Sequence, residues 1–379
     1  MDLTTWLLGR TPVRPLVVTT VGGTGVRLSV EHEIRRRGWR PALNAAEANL
    51  LVVAGPADPA MTPFVDAVWE LIPAPRVRIE LAATSGIAAA LTAAERRLRS
   101  PDEQRSAIAG AGGTEQAADA EHVHAEPADH AQDGRHTPAQ ETGETEHPPA
   151  QQEHAEDEHA HCDHGHHHRH DMSGMEMPGG IPMADRADDR DGLKLDRLTV
   201  PLGPVLPAWP AGLLVRTVLQ GDVVQEAAVE AVLTPRHGMA AFWDDEARIA
   251  ARRLDSCARL LTVAGWEYAA GTAARLRDDL LAGHEPGARL TRWAKLIRRS
   301  RVLRWSLTGI GVHAASGDAW DRLTRWVDEA ASARAEADPD PAKIVDALPG
   351  LLAGAEFATA RLIVASFDPD LERVRVARG

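Results

Sequence analysis

The sequence predicts an α/β domain and an α+β domain that are separated by a segment without regular structure. In the first hundred residues, short β-branched runs alternate with amphipathic stretches of helical period. Apolar periodicity is then lost, and it returns as strand-like runs followed by long helical stretches. We therefore predict an N-terminal domain at residues 1–100, a disordered linker at 101–184 and a C-terminal domain at 185–379.

The N-terminal domain is predicted to be a small, doubly wound parallel sheet. Residues 15–21, 49–54 and 76–81 are short apolar runs typical of strands. A stretch with helical spacing follows each run, and these stretches are residues 26–37, 61–72 and 85–98. Strands that alternate with helices of about twelve residues pair in parallel.

The linker is predicted to be disordered because it is rich in Ala, Glu, Asp, His, Gln, Pro and Gly. Such a composition buries too little apolar surface to offset the entropy lost on ordering. Residues 101–170 hold sixteen acidic and three basic residues, so this stretch accounts for the chain's net charge of -13. The two flanks are close to neutral, which argues against a nucleic-acid-binding surface.

The C-terminal domain is predicted to be a small β-piece followed by a helical bundle. The strand-like runs are residues 195–200, 212–219 and 223–232. Four stretches of helical period follow, at residues 242–281, 290–308, 319–335 and 343–366. Segments rich in glycine or proline separate these stretches.

A histidine cluster in the linker is the clearest chemical signal. Thirteen of the seventeen histidines lie between His122 and His170, and four methionines follow between Met172 and Met183. The candidate metal ligands are His159, His161, Cys162, His164, His166, His167, His168 and His170. Imidazole suits Zn, Ni and Cu, and thioethers suit Cu(I). We expect labile binding of Ni, Zn or Cu at several sites, with a solvated spacer as the alternative.

Two other features are weaker signals. The turn Gly22-Gly23-Thr24-Gly25 follows a strand but lacks the Gly-Lys-Ser/Thr ending of a P-loop, so a tight structural turn is favoured. The predicted helix at 290–308 contains six basic residues, and Arg289 directly precedes it. Its charged face is either solvated or a surface for an acidic partner or the linker.

The compartment is predicted from the cysteines and the hydropathy. The chain has two cysteines, Cys162 and Cys257, which cannot form a disulfide framework. No signal-peptide pattern begins the sequence, and no run approaches the roughly 18 apolar residues of a membrane span. We expect a cytoplasmic chain, with the cytoplasmic face of the membrane as the alternative location.

Two stretches resemble the core hydrophilic subunits of respiratory complex I and the related [NiFe] hydrogenases. Residues 15–90 are similar to the small, 20-kDa-type subunit, through AEANLLVVAGP at 46–56 and PAPRVRI at 73–79. Residues 195–310 are similar to the start of the large, 49-kDa-type subunit, through LGPVLPAWPAG at 202–212. The resemblance implies that two subunits are fused in one chain.

The resemblance also locates the positions at which the family carries redox groups. Gly22 and Gly25 stand where the small subunit has its first pair of cluster cysteines, and Thr84 stands near a later ligand. Leu206 and Pro210 stand where the large subunit has the histidines of its quinone site. Iron–sulfur clusters are held by thiolates, so we expect no cluster here.

The preferred functional hypothesis is a non-catalytic accessory or assembly subunit of a complex I-like or hydrogenase-like assembly. Its partners would be other subunits of that assembly, and neither nucleic acid nor a membrane span is expected. One alternative is an electron-transfer subunit of an NADH-quinone oxidoreductase-like complex that binds quinone or a partner-supplied cluster. The other is a Ni, Cu or Zn metallochaperone whose linker carries the metal.

Overall fold

The structure is a computed structural model that describes residues 3–106, 186–188, 194–232, 241–332, 334 and 339–374. All of the described residues belong to one compact unit. Residues 107–185, which hold nearly all of the predicted linker, lie outside the described residues. We call residues 3–106 the N-terminal part of this unit and residues 186–374 its C-terminal part.

The N-terminal part contains the predicted parallel sheet, with three strands in the order β1-β2-β3. The strands are β1 (Pro15–Thr19), β2 (Leu50–Ala54) and β3 (Val77–Leu81). The helices are α1 (Leu3–Arg10), α2 (Thr24–Arg36), α3 (Thr62–Leu71) and α4 (Ile87–Leu98). The coarse prediction for this part is confirmed.

Helices cover both faces of this sheet because β2 is apolar at every position. Leu50 and Val52 point to one face, where they pack against α2 and α4. Leu51 and Val53 point to the other face, where they pack against α3. Alternate residues of a strand face opposite sides, so a continuous apolar run is the pattern of a strand buried on both faces.

The N-terminal part extends beyond the boundary predicted at residue 100, since residues 101–106 are helical. The buried Gln104 holds this stretch in place, because its Oε1 accepts from Arg76 N at 3.0 Å and its Nε2 donates to Arg97 O at 3.1 Å. A glutamine buried by tertiary contacts leaves no apolar pattern in the sequence. The predicted linker boundary is therefore early by at least six residues.

The C-terminal part begins with an antiparallel sheet in the order β4-β5-β6-β7. Its strands are β4 (Arg186–Asp188), β5 (Lys194–Leu202), β6 (Leu213–Gln220) and β7 (Val223–Val232). Its helices are α5 (Ile249–Val263), α6 (Glu267–Leu281), α7 (Gly287–Arg299), α8 (Arg301–Leu307), α9 (Ala319–Ser332), α10 (Pro341–Leu352) and α11 (Phe357–Phe367). One hydrophobic core lies between the sheet and the helices α10 and α11. A second core is formed by the five helices from α5 through α9.

The helical stretches are shorter than predicted, because three of the four are interrupted. Gly265 ends α5 with φ of 77°, and Gly354 separates α10 from α11 with φ of 80°. Ser300 is extended between α7 and α8, and its Oγ accepts from Leu303 N at 3.3 Å as an N-cap. Left-handed glycines and serine caps end helices without changing the apolar period on either side.

Candidate functional site

The carboxyl ends of the three parallel strands meet at one edge of the N-terminal sheet. Thr19, Ala54 and Leu81 are paired in register there. Gly22 follows β1, and the exposed Thr84 follows β3, so both positions lie in loops that leave the same edge. Gly25 is the second residue of α2 and belongs to the same turn as Gly22.

The glycine turn is packed too tightly to hold larger side chains. Gly22 is left-handed, with φ of 82°. A Cβ on Gly23 would lie 2.3 Å from Ala54 O, and a Cβ on Gly25 would lie 3.0 Å from the Phe242 ring. Close approach of one backbone to another is a common reason for glycine in such turns. The turn therefore joins β1 to α2 and seats Phe242 of the C-terminal part.

The two degenerate quinone-site positions lie in the loop between β5 and β6 but line different cavities. Leu206 is half-buried and lines a large cavity between the two parts. Pro210 is buried and lines a small cavity of about 40 Å³. Trp209 lies between them, and its Nε1 donates to Leu213 O at 2.7 Å. The two cavities are adjacent, since Thr19, Arg27, Trp209 and Arg259 line both of them.

The large cavity has a volume of about 310 Å³ and is the candidate functional site. One wall is apolar and comes from β1, α2, the 203–212 loop, α5 and α6. Its apolar lining residues include Val17, Ile34, Leu206, Trp209, Ala258 and Ala274. Small-molecule sites are commonly apolar clefts of this size at a boundary between two structural parts, with a few converging polar groups.

The polar wall of the cavity is a buried ion-pair network. Arg27 of α2 donates to both carboxylate oxygens of Asp255 of α5, at 3.2 and 2.6 Å. Arg277 of α6 also donates to Asp255, and it donates to Glu31 of α2 at 2.9 Å. Asp255 and Arg277 are buried, with side chains 3 % and 1 % exposed. The network, Arg27–Glu31–Asp255–Arg277, therefore joins the two parts.

A second set of ion pairs extends this network toward solvent. Arg35 of α2 donates to Asp278 of α6 at 2.7 and 2.9 Å, and Arg277 donates to Asp278 as well. At the rim of the cavity, the exposed Arg40 and Glu267 pair at 2.7 Å. Two pairs of this second set, Arg35–Asp278 and Arg40–Glu267, join the N-terminal part to the C-terminal part.

The electrostatics of the network keep its carboxylates ionised. Burial tends to raise the pKa of Asp255, but Arg27 and Arg277 outweigh it and hold the pKa well below its usual value. Burial also tends to raise the pKa of Glu31. The positive charges of Arg27, Arg277 and Arg35 outweigh burial and lower that pKa to about 2. The polar wall is thus a set of fixed charges.

None of the described residues that line the cavity carries a thiol. Cys257 lies on α5 but faces the helical core and is fully buried. Burial raises the pKa of its thiol well above the usual range, so it is a neutral core side chain. The other cysteine of the chain, Cys162, belongs to the histidine-rich stretch.

The eight predicted metal ligands, His159 to His170, lie outside the described residues. Within the described ranges, no three His, Cys, Asp or Glu side chains are grouped as a metal site would require. None of the helices in those ranges combines the length and the apolar composition that a bilayer crossing needs. The predicted ligands remain a prediction from the sequence.

Comparisons with protein-family models, curated proteins and solved structures found no match to this chain. The cavity and the ion-pair network are therefore interpreted from their own chemistry. The sequence analysis predicted none of the four residues of the network as functional residues. The only local signal was the spacing of Arg27, Glu31 and Arg35 at i, i+4 on α2, which usually marks a solvated helix face.

Proposed function

We propose that this chain is a non-catalytic accessory or assembly subunit of a complex I-like or hydrogenase-like assembly. The observation that carries the proposal is the Arg27–Glu31–Asp255–Arg277 network, which joins the small-subunit-like part to the large-subunit-like part. A fused pair held in one relative position can present a composite surface to other subunits. Such a role requires no redox group in the chain itself.

The residues at the family's redox positions support the same proposal. A [4Fe-4S] cluster takes four thiolates, and this chain has two cysteines in all. Gly25 abuts the Phe242 ring, so the turn is occupied by a contact between the two parts. Leu206 and Pro210 have no side-chain group that could donate a hydrogen bond or a proton to a quinone.

The histidine-rich stretch gives the proposed subunit a metal-binding function. We propose that it takes Ni, Zn or Cu, because eight ligands of suitable chemistry fall within residues 159–170. The matched variant replaces the seven histidines by Asn and Cys162 by Ser in the full chain. Metal analysis after exposure to each ion should show binding to the natural chain and its loss in the variant. Equal binding by both would contradict this function.

The accessory role is tested by purifying the tagged full chain from its own cells under anaerobic conditions. We expect subunits of a quinone-reducing or hydrogenase-type assembly to co-purify with the chain. After the chain is separated from these subunits, it should contain neither iron nor acid-labile sulfide. A double variant, Arg27→Gln with Arg277→Gln, should lose these partners if the relative position of the two parts creates the surface. Stoichiometric iron and sulfide in the isolated chain would contradict the proposal.

A quinone-type ligand in the large cavity is the second candidate function, and the cavity's size and apolar wall favour it. The test uses a short-chain quinone and follows quenching of tryptophan fluorescence, since Trp209 lines the cavity. Gly271 also lines it, and a Cβ there would have only Arg275 Nη1 nearby, at 3.7 Å. Gly271→Leu should therefore fill the cavity and weaken binding by about tenfold or more.

Gly350→Leu is the matched control for that test. Gly350 lies on the solvent-exposed face of α10, and a Cβ at this position would have no other atom within 4 Å. It should leave quinone binding unchanged. Equal affinity of the natural chain and Gly271→Leu would exclude the cavity as a quinone site, and it would leave the accessory proposal unaffected.

A further inference from the structure

The helices α7 and α8 carry a strongly basic surface in an otherwise acidic chain. Residues 286–317 contain seven Lys or Arg and no Asp or Glu. The basic residues are Arg289, Arg292, Lys295, Arg298, Arg299, Arg301 and Arg304. Without these seven, the residues outside 107–185 comprise thirty-three Lys or Arg and thirty-eight Asp or Glu, so the positive charge is concentrated on these two helices.

Among the described residues, only two of these seven charges have an ion-pair partner. Arg289 pairs with Asp279, and Arg298 pairs with Asp328. The other five are exposed and form no ion pair with any described residue, and they are Arg292, Lys295, Arg299, Arg301 and Arg304. Unpaired surface cations in such density are typical of a face that meets an anionic partner.

Apolar side chains stand among these charges. Among the described residues nine large apolar side chains are exposed, and three of them lie between residues 296 and 305. Trp305 is 83 % exposed, Val302 76 % and Leu296 39 %. On α8, Arg301 and Val302 precede Trp305 by four and three residues, so they share its face of the helix.

The opposite face of the two helices anchors them. Leu290, Trp293, Ile297, Leu303 and Leu307 are buried in the core formed by α5 to α9. Because the exposed residues do not contribute to this core, substitutions at Val302 and Trp305 should leave the fold intact. The two helices thus form a fixed, outward-facing surface of cations and apolar side chains.

We propose that the α7–α8 surface binds an anionic phospholipid surface, so that this subunit attaches peripherally to a membrane. Trp and Arg favour the boundary between headgroups and acyl chains, where an indole inserts while guanidinium groups bind phosphate. Trp305 and Val302 project from the surface, and a fluid bilayer accepts projecting side chains without a complementary pocket. An acidic polypeptide would pair with the cations but would leave the exposed Trp305 and Val302 side chains in water, so lipid is the better fit.

The test is flotation of the full chain with vesicles of phosphatidylcholine containing about a third phosphatidylglycerol, at physiological salt. We expect flotation with these vesicles and none with pure phosphatidylcholine. The double variant Arg301→Gln with Arg304→Gln should weaken binding by about fivefold for each charge removed. Trp305→Ala should weaken it by about tenfold.

Two control variants separate this surface from the rest of the protein. Arg96→Gln removes an exposed arginine of α4, and Leu71→Ala removes an apolar side chain that is 69 % exposed on α3. Both should float like the natural chain. No flotation with anionic vesicles, equal flotation with neutral ones, or equal loss in the controls would overturn the proposal. Binding only to an acidic polypeptide such as polyglutamate would overturn it as well.

Discussion

Arg27 and Asp255 are 228 positions apart in the chain, yet they form a buried two-pronged ion pair between the two parts of the fold. Arg277 approaches the same carboxylate from α6, so one acidic group is shared by two arginines. Glu31 supplies the second negative charge, bonded to both arginines. With two positive and two negative charges, the network is balanced, and the loss of one member leaves a buried charge without compensation.

Asp255→Asn should destabilise the protein by about 3–5 kcal/mol, because two buried guanidinium groups then lose their shared carboxylate. Urea unfolding followed by circular dichroism measures the effect. The control is Glu267→Gln, which removes the exposed partner of Arg40 and should leave the midpoint unchanged. If both variants unfold at the same urea concentration, the network does not hold the two parts together.

Stability should fall on acidification partly through Glu31. Its pKa is lowered from 4.5 to about 2 in the folded state, so its contribution is present above pH 4.5 and is lost as the pH falls toward 2. This contribution is at most about 3 kcal/mol. Urea midpoints between pH 2.5 and 7 should be less pH-dependent in Glu31→Gln than in the natural chain. The exposed Glu70→Gln should retain the natural slope, and an unchanged slope in Glu31→Gln would contradict the assignment.

Asp370 should have the opposite pH dependence. Burial raises its pKa from 3.8 to about 6, and its Oδ2 has no hydrogen-bond partner among the described residues. The natural chain should therefore lose stability as the pH rises from about 4 to about 6, by at most about 3 kcal/mol.

Asp370→Asn tests this by removing the charge while retaining an oxygen that can accept from Glu372 N. It should be more stable than the natural chain above pH 6 and equal to it below pH 4. The control is Asp340→Asn, at an exposed carboxylate that caps α10 through Ala342 N. A variant that is no more stable than the natural chain at pH 7 would show that the Asp370 charge is compensated.

Gly23→Ala should destabilise the N-terminal sheet by about 1–3 kcal/mol or more, because its Cβ would collide with Ala54 O at 2.3 Å. The matched change Gly350→Ala lies inside α10 with open space around it, and it should stabilise by about 0.5–1 kcal/mol. Thermal unfolding of both variants gives the comparison. Equal melting temperatures would mean that the glycine turn can move away from β2.

Several elements were predictable from local patterns. The apolar run at β2 predicted a strand buried on both faces, and alternation with helical stretches predicted the parallel pairing. The strands β5 to β7 and the helical character of the C-terminal part followed from their periods as well. Three helix breaks were missed, since Gly265, Ser300 and Gly354 lie within continuous apolar periodicity. That periodicity reports which residues are buried and not where the axis turns.

The sequence by itself determined the two folded regions, the composition between them and the absence of enough thiolates for a cluster. Only the tertiary structure decided that the two regions form one unit, and that Arg27 and Asp255 meet beside a cavity. The physical reason is that a side chain's local pattern records its preference for water or for burial. Its partner is selected by packing across the whole chain, so an arginine on α2 has the pattern of a solvated residue until α5 covers it.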